Sequence, residues 1–345
     1  MLYLSTRSKA DVYTAYSTLQ NDFAPDGGQF VPYHFPEAGK DLIADLKNLS
    51  YGQTVAKIIN LFFANSPEGI AVDFLAQRNP LKFISLNRQM LVAETWHNLK
   101  SDFSSTVSLL YKAIYPNPRP TENATFWVNI AVRVAVLFGI YGSMLKDGYL
   151  KGQDCFDISV NAGDFTVPMA CWYAKKMGLP VGTILCTGNE HSQLWDFVKH
   201  GQIAGGTSSD KTDYPLMDHP IPAGLESLLH QTLGIDEALR FTDRVSMKKS
   251  YKIPETESNP MESFYASIVS TDRVEAVIRS IYRTEGYYMD PYTAFSCAGL
   301  QDMRAKTGES GFTLLISEKS PLLFADVVAR SCGVTKESII QKFKV

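Results

Sequence analysis

Charge of one sign is scarce in this sequence. Its 345 residues carry 33 Lys+Arg against 36 Asp+Glu, a formal net charge of −3. We read no Lys/Arg cluster in it, so the footprint of a phosphate-backbone binder is missing and no nucleic-acid partner is expected. Cysteine is equally sparse. The five residues Cys155, Cys171, Cys186, Cys297 and Cys332 are scattered and odd in number, with no C-x-x-C pair. That pattern excludes a disulfide framework or a structural zinc and leads us to expect reduced, mostly buried thiols. No G-x-x-x-x-G-K-[ST], G-x-G-x-x-G, H-E-x-x-H or G-x-S-x-G occurs, which removes the commonest phosphate-loop, dinucleotide, zinc-protease and serine-hydrolase signatures. Long apolar runs are missing too. The most lipophilic stretch, Phe126 to Leu145, is broken by Asn129 and Arg133, and its longest clean run is Val134 to Tyr141. A span needs roughly 20 largely apolar residues, and a central charge costs about 2.5 to 3.5 kcal/mol on insertion scales, so we expect a buried helix and no membrane partner. The opening MLYLSTRSKADVY has no charged leader followed by an apolar stretch, so we expect no signal peptide and a cytoplasmic location.

What is present suffices for a large core: 45% hydrophobic, 12% aromatic and 20% charged residues. Helical periodicity is expected after Ser8, then a turn at Ala24-Pro25-Asp26-Gly27-Gly28 feeding an extended Gln29 to Pro32. A further helical pattern runs from Lys40 to Phe63. Three prolines make Tyr115 to Asn123 irregular. This divides the chain into an N-terminal α+β segment at 1–114, a Pro-rich linker at 115–123 and an α/β core at 124–345, expected to pack as one compact body. The core is the most legible part. Asp157 to Val160 reads as a strand, Val167 to Met177 as a helix stopped by Gly178-Leu179-Pro180, and Val181 to Thr187 as a second strand leading to a helix with Leu194, Trp195 and Val198. Phe312 to Ile316 reads as a third strand, with a helix from Leu322 to Arg330. Such alternation predicts a mostly parallel sheet flanked by helices. Ligands of such sheets sit at the carboxyl ends of strands, which directs attention to the loops Asn161 to Thr166, Thr187 to His191 and Ser317 to Pro321.

Six segments in order then carry a resemblance. They are Ser5-Thr6-Arg7 with Ala24 to Pro32, Val160-Asn-Ala-Gly-Asp-Phe165, Ala174-Lys-Lys-Met-Gly-Leu-Pro180, Met217-Asp218, Asp290-Pro-Tyr-Thr-Ala294 and Ser317-Glu-Lys-Ser-Pro321. The sequence resembles threonine synthase, a pyridoxal-phosphate (PLP) enzyme of fold type II, through nearly its whole length. The resemblance implies that fold, with Asn161, Gly163, Asp164, Phe165 and Thr166 at the cofactor phosphate and Ser317 and Glu318 at the pyridine ring.

The departures shape the functional expectation. The text around the family's Schiff-base lysine is here Glu94-Thr-Trp-His97-Asn-Leu-Lys100-Ser101-Asp102-Phe103. Ser101 takes the lysine position, and Lys100, the one candidate catalytic residue, stands one place off, where a helix would turn it away by about 100°. Only Phe103 to Glu122 occupies the interval that holds the family's smaller α/β domain, too little for any domain. Asp164 either weakens the phosphate cup by its charge or caps a helix. Leu323 replaces a lysine, Tyr292 stands where the family often has histidine and Gly224 where it has asparagine.

We therefore expect a degenerate threonine synthase-like scaffold with no resident cofactor. It could retain a small amino acid or phosphometabolite through Thr187, Asn189, Glu190 and His191. The alternative is an active PLP lyase acting on O-phosphohomoserine with Lys100 as the Schiff-base lysine. His97 near Asp102, and His219 beside Asp218, receive no catalytic role. The face left by the lost domain implies self-association.

Overall fold

The computed structural model describes residues 1–63, 73, 75–77, 79–98, 100–115, 124–152, 154–206, 211–255 and 260–343. Most of the linker, 116–123, lies outside the described residues. A three-stranded antiparallel sheet opens the chain: β1 (Leu2–Ser5) lies between β2 (Val12–Thr14) and β3 (Phe30–Pro32). The helix expected after Ser8 is confined to α1 (Ala15–Gln20). Before it, Val12-Tyr13-Thr14 is β-branched and aromatic and pairs with β1. The periodic stretch from Lys40 likewise splits into α2 (Lys40–Asp45), a single tight turn at Leu46–Asn48 and α3 (Tyr51–Phe62). A capping box between Ser50 and Gln53 restarts the helix there.

The main sheet has six strands in the order β10-β7-β6-β11-β5-β4. These are β4 (Lys82–Asn87), β5 (Met90–Glu94), β6 (Phe156–Asn161), β7 (Val181–Gly188), β10 (Phe264–Ile268) and β11 (Thr313–Ser317). Only β4 runs antiparallel to its neighbour. Because β4 and β5 come from the first 114 residues, the N-terminal segment shares this sheet with the α/β core. A two-stranded ladder, β8 (Gln202–Ile203) with β9 (Tyr251–Lys252), lies apart from it.

Helices cover both faces of the sheet, as the strand-helix alternation predicted. On one face lie α3, α4 (Phe103–Ile114), α5 (Phe126–Lys146) and α6 (Thr166–Lys176) over one apolar cluster. On the other lie α10 (Thr271–Glu285), α11 (Pro291–Thr307) and α12 (Ala325–Cys332) over a second. The chain is completed by α7 (Leu194–His200), α8 (Leu225–Leu233), α9 (Ile235–Ser246) and α13 (Lys336–Phe343).

Length and composition would let α5 cross a membrane, yet 78% of its most apolar window is buried inside the protein. A helix that is apolar all round belongs in such a core. Gly139 lets α5 and α3 approach, since a Cβ there would lie 2.6 Å from the Tyr51 ring. The helix expected from Leu322 begins instead at Ala325, after a tight turn over Pro321–Phe324.

Candidate functional site

Parallel pairing of β6, β7 and β11 brings the loops after Asn161, Gly188 and Ser317 to one edge, as expected. Alternation along β11 then sorts its side chains. Ile316 and Glu318 face α5, where both line a small cavity with Arg133. Ser317 turns the other way, and its hydroxyl donates 2.8 Å to Oδ2 of Asp290, the N-cap of α11. The hydroxyl assigned by resemblance to a pyridine nitrogen is thus bound to a buried carboxylate. Burial pushes the Asp290 carboxyl above its usual value, against opposing hydrogen bonds from Thr293, Ser317 and the Tyr292 amide.

Arg133 takes the centre of the cleft. Its Nε and Nη2 donate to both carboxylate oxygens of Glu318 at 2.8 and 2.9 Å, and Nη1 donates 3.2 Å to the carbonyl of Asn129. The guanidinium also sits 5.4 Å from the centre of the Phe103 ring. Burial works against its charge, but Glu318 foremost, with Asp164 and Asp102, outweighs that and raises its pKa. Bidentate geometry with both partners mostly out of solvent, at 12% and 21% exposure, makes this a strong pair. The cavity left beside it is about 10 Å³. That is room for about one water, where a drug-sized ligand takes on the order of 300 Å³ or more.

The loop that the resemblance assigns to the cofactor phosphate, Asn161 to Thr166, is crowded from two sides. Gly163 lies so close beneath the Leu216 carbonyl that a Cβ on it would fall 2.0 Å from that oxygen. An acceptor therefore stands over the loop. Asp164 is one residue before Phe165, the N-cap of α6, and its Oδ1 accepts the Thr166 N–H at 3.0 Å. Its own carboxylate takes the place an anion would have at the helix start. The Thr166 hydroxyl is buried with no partner among the described residues.

Lys100 is exposed, in the turn before α4 rather than on the helix that a one-residue displacement presumes. The helix starts only at Phe103, because Asp102 caps it through the Ser104 N–H at 2.8 Å. Ser101 takes a left-handed backbone conformation, φ 51°, and its carbonyl accepts the Ser320 N–H at 2.9 Å. Asp102 also binds Lys319 Nζ at 2.5 Å, so residues 101–103 are zipped to 318–320.

Burial pushes the Asp102 carboxyl up, but the hydrogen bonds from Lys319 and the Ser104 amide outweigh it and hold it below the ordinary carboxylate range. A carboxyl lowered by folding stabilises the protein above its unfolded pKa of about 3.9 and loses that contribution as pH falls through the folded value. Lys319→Met is therefore expected to flatten the decline of stability below about pH 4. Urea midpoints for both proteins, measured above and below that pH, check it.

Among the residues expected to hold an amino acid, the Thr187 hydroxyl and the Asn189 amide nitrogen are buried without a partner among the described residues. Thr187 faces α11, and its hydroxyl packs where a Cβ on Gly299 would lie 2.2 Å away. Asn189 accepts the His191 N–H at 3.2 Å within its own turn, while Glu190 is exposed and His191 is half-buried. Asn161, half-buried, stands opposite Thr187 in the ladder. Sequence reasoning missed Arg133 and Leu216 altogether. A lone charge inside an apolar helix was the available signal for Arg133; a backbone carbonyl leaves none.

These features define an α/β protein with the scaffold of fold type II PLP enzymes, and comparison with known proteins narrows it. Residues 2–71 match the family model described as threonine synthase N terminus. Human threonine synthase-like 1 is 26% identical over 211 residues, covering 60% of this chain and 28% of that protein. Threonine synthase of Schizosaccharomyces pombe is 27% identical over 231 residues, covering 60% and 44%. The chain thus spans between about a quarter and less than half of the curated relatives it matches. Among solved structures, PLP-bound threonine synthase from Brucella melitensis superposes with a TM-score of 0.82 at 17% identity, over 97% of this chain and 92% of that one. Yeast threonine synthase gives 0.81 at 17%, over 100% and 92%. In sequence the chain is similar to threonine synthases and threonine synthase-like proteins, and in fold it matches the former closely, as its motifs implied.

The residues present do not fit pyridoxal phosphate. Lys100, the lysine next to the position the resemblance assigns to the Schiff base, is exposed, and Lys319 is paired with Asp102. Where the resemblance would seat the ring, Glu318 is paired with Arg133, and the loop it would assign to the phosphate meets the Leu216 carbonyl and Asp164. Three carboxylates, Asp102, Asp164 and Glu318, against Arg133 and Lys319 leave the cleft net negative, opposed to a phosphate dianion.

Proposed function

We propose that the chain is a degenerate homologue of threonine synthase, which keeps the scaffold but neither binds pyridoxal phosphate nor forms threonine. The observation that supports this reading is the bidentate Arg133–Glu318 pair just beyond the carboxyl end of β11, where the resemblance would seat the cofactor ring. The displaced Lys100, the Asp164 carboxylate at the start of α6 and the short interval between α4 and α5 agree with it. These losses are mutually dependent: without a tether or a second wall, a buried ion pair can close the gap without competing with a coenzyme.

Retention of an amino acid or phosphometabolite in the old cleft would require Arg133 and Glu318 to part. A thermal-shift screen with amino acids, phosphoserine and inorganic phosphate is accordingly expected to show no stabilisation. A ligand at a hundredfold excess over its Kd would contribute about 2.7 kcal/mol, easily seen as a rise in Tm. Such a rise, abolished by blocking the cleft, would restore small-molecule binding as the function.

A further inference from the structure

The net charge of −3 hides an uneven surface. Residues 240–252 carry Arg240, Arg244, Lys248, Lys249 and Lys252 against the single carboxylate of Asp243. The reading that the sequence has no Lys/Arg cluster is corrected here. Folding enlarges the cluster. The Gly201 carbonyl, just after α7, accepts the Ile253 N–H at 2.8 Å, and Gln202 pairs with Lys252 in the β8–β9 ladder. Lys199 and His200 are thereby brought to the same end of the molecule as Lys252. On the other side of the ladder, Gly205 packs on the Lys248 carbonyl so closely that a Cβ would lie 2.2 Å away.

These cations are largely uncommitted. Arg240 is paired with Glu237, but Lys199, Arg244, Lys248, Lys249 and Lys252 form no ion pair among the described residues. Unpaired like charges held together repel one another, and an anionic surface relieves that. An apolar element accompanies them. Met247, between Ser246 and Lys248, is 61% exposed, the most exposed of the large apolar side chains among the described residues. Lys248, at φ 55°, turns the chain immediately after it. Trp195, 36% exposed, lies beneath the Lys199 ammonium at 5.3 Å.

Against the expectation of no membrane partner, which rested on the absence of a spanning helix, we propose that the end of α9 and the β8–β9 ladder form a peripheral docking face for an anionic lipid bilayer. Lysines and arginines would meet headgroup phosphates and carboxylates while the Met247 thioether reaches the acyl boundary. Nucleic acid would satisfy the charges but has no place for a projecting Met247, which is why the bilayer is favoured. This face lies outside the old cofactor cleft, and the proposal stands independently of the loss of pyridoxal phosphate.

The test is co-sedimentation of the full chain with vesicles of phosphatidylcholine alone and of phosphatidylcholine mixed with phosphatidylserine. Binding is expected only to the mixed vesicles, with release as salt is raised. Lys248→Glu/Lys249→Glu should weaken it by about tenfold or more, since two attractive charges become repulsive. Met247→Ser should weaken it while leaving its salt dependence unchanged, and Lys40→Glu/Lys47→Glu, on α2 and the turn after it, should have no effect. Circular dichroism melts confirm that each variant is folded. Absence of binding, equal binding to both vesicles, indifference to Lys248→Glu/Lys249→Glu, or tighter binding to a single-stranded oligonucleotide than to mixed vesicles would each overturn the proposal.

Discussion

Purified protein incubated with pyridoxal phosphate is expected to develop no absorbance band of a lysine-bound cofactor, and to release neither threonine nor phosphate from phosphohomoserine. Lys100→Ala should leave both null results unchanged. The expectation rests on three separate obstacles. The Lys100 side chain is exposed in the turn before α4, with no pocket among the described residues around it to hold a cofactor against its amine. The Leu216 carbonyl and the Asp164 carboxylate present acceptors to a group that is itself an acceptor. The ring would have to displace a bidentate ion pair. A cofactor band that vanishes in Lys100→Ala would show that the loop from Asn98 to Asp102 rearranges, and the degenerate reading would fall.

The second large effect is on stability. Arg133→Met leaves Glu318 without its partner inside the cleft and is expected to cost about 3 to 5 kcal/mol; Glu318→Gln, which strands the guanidinium, should cost a similar amount. The double variant Arg133→Met/Glu318→Leu should recover most of that loss, because replacing both partners by apolar groups of similar size removes the unpaired charge. Urea denaturation of the two single variants and the double variant gives the coupling directly. Single-variant losses below about 1 kcal/mol would mark the pair as an ordinary surface bridge and remove it as the group that closes the cleft.

The central βαβ unit was legible because each of its signals agrees. Strand β6, helix α6 and strand β7 fall within a residue or two of their expected bounds. Their apolar faces, the φ of +112° at Gly178 and Pro180 all specify the same boundaries. The N-terminal helix was overread because an apolar period of three to four in Val12 to Leu19 does not reveal that β1 offers a pairing edge. The position of the candidate site was legible from strand polarity alone. Its content was not. Arg133 registered only as an interruption of an apolar run, since nothing local says that Glu318, 185 residues later, meets it. The orientation of Ser317 away from Glu318 follows from strand alternation, but only once the strand is known to end at Ser317.

The place of β11 in the sheet has a consequence for how the molecule is made. This strand, contributed by residues 313–317, fills the gap between β5 and β6. Until that stretch leaves the ribosome, the β4–β5 hairpin and the β6–β7–β10 group have no strand to join them, and each offers an open edge to neighbouring nascent chains. Residues 82–317, from the start of β4 to the end of β11, must all be made before the centre of the sheet can close, and such long-range pairing favours slow maturation over the stepwise closure of short local units.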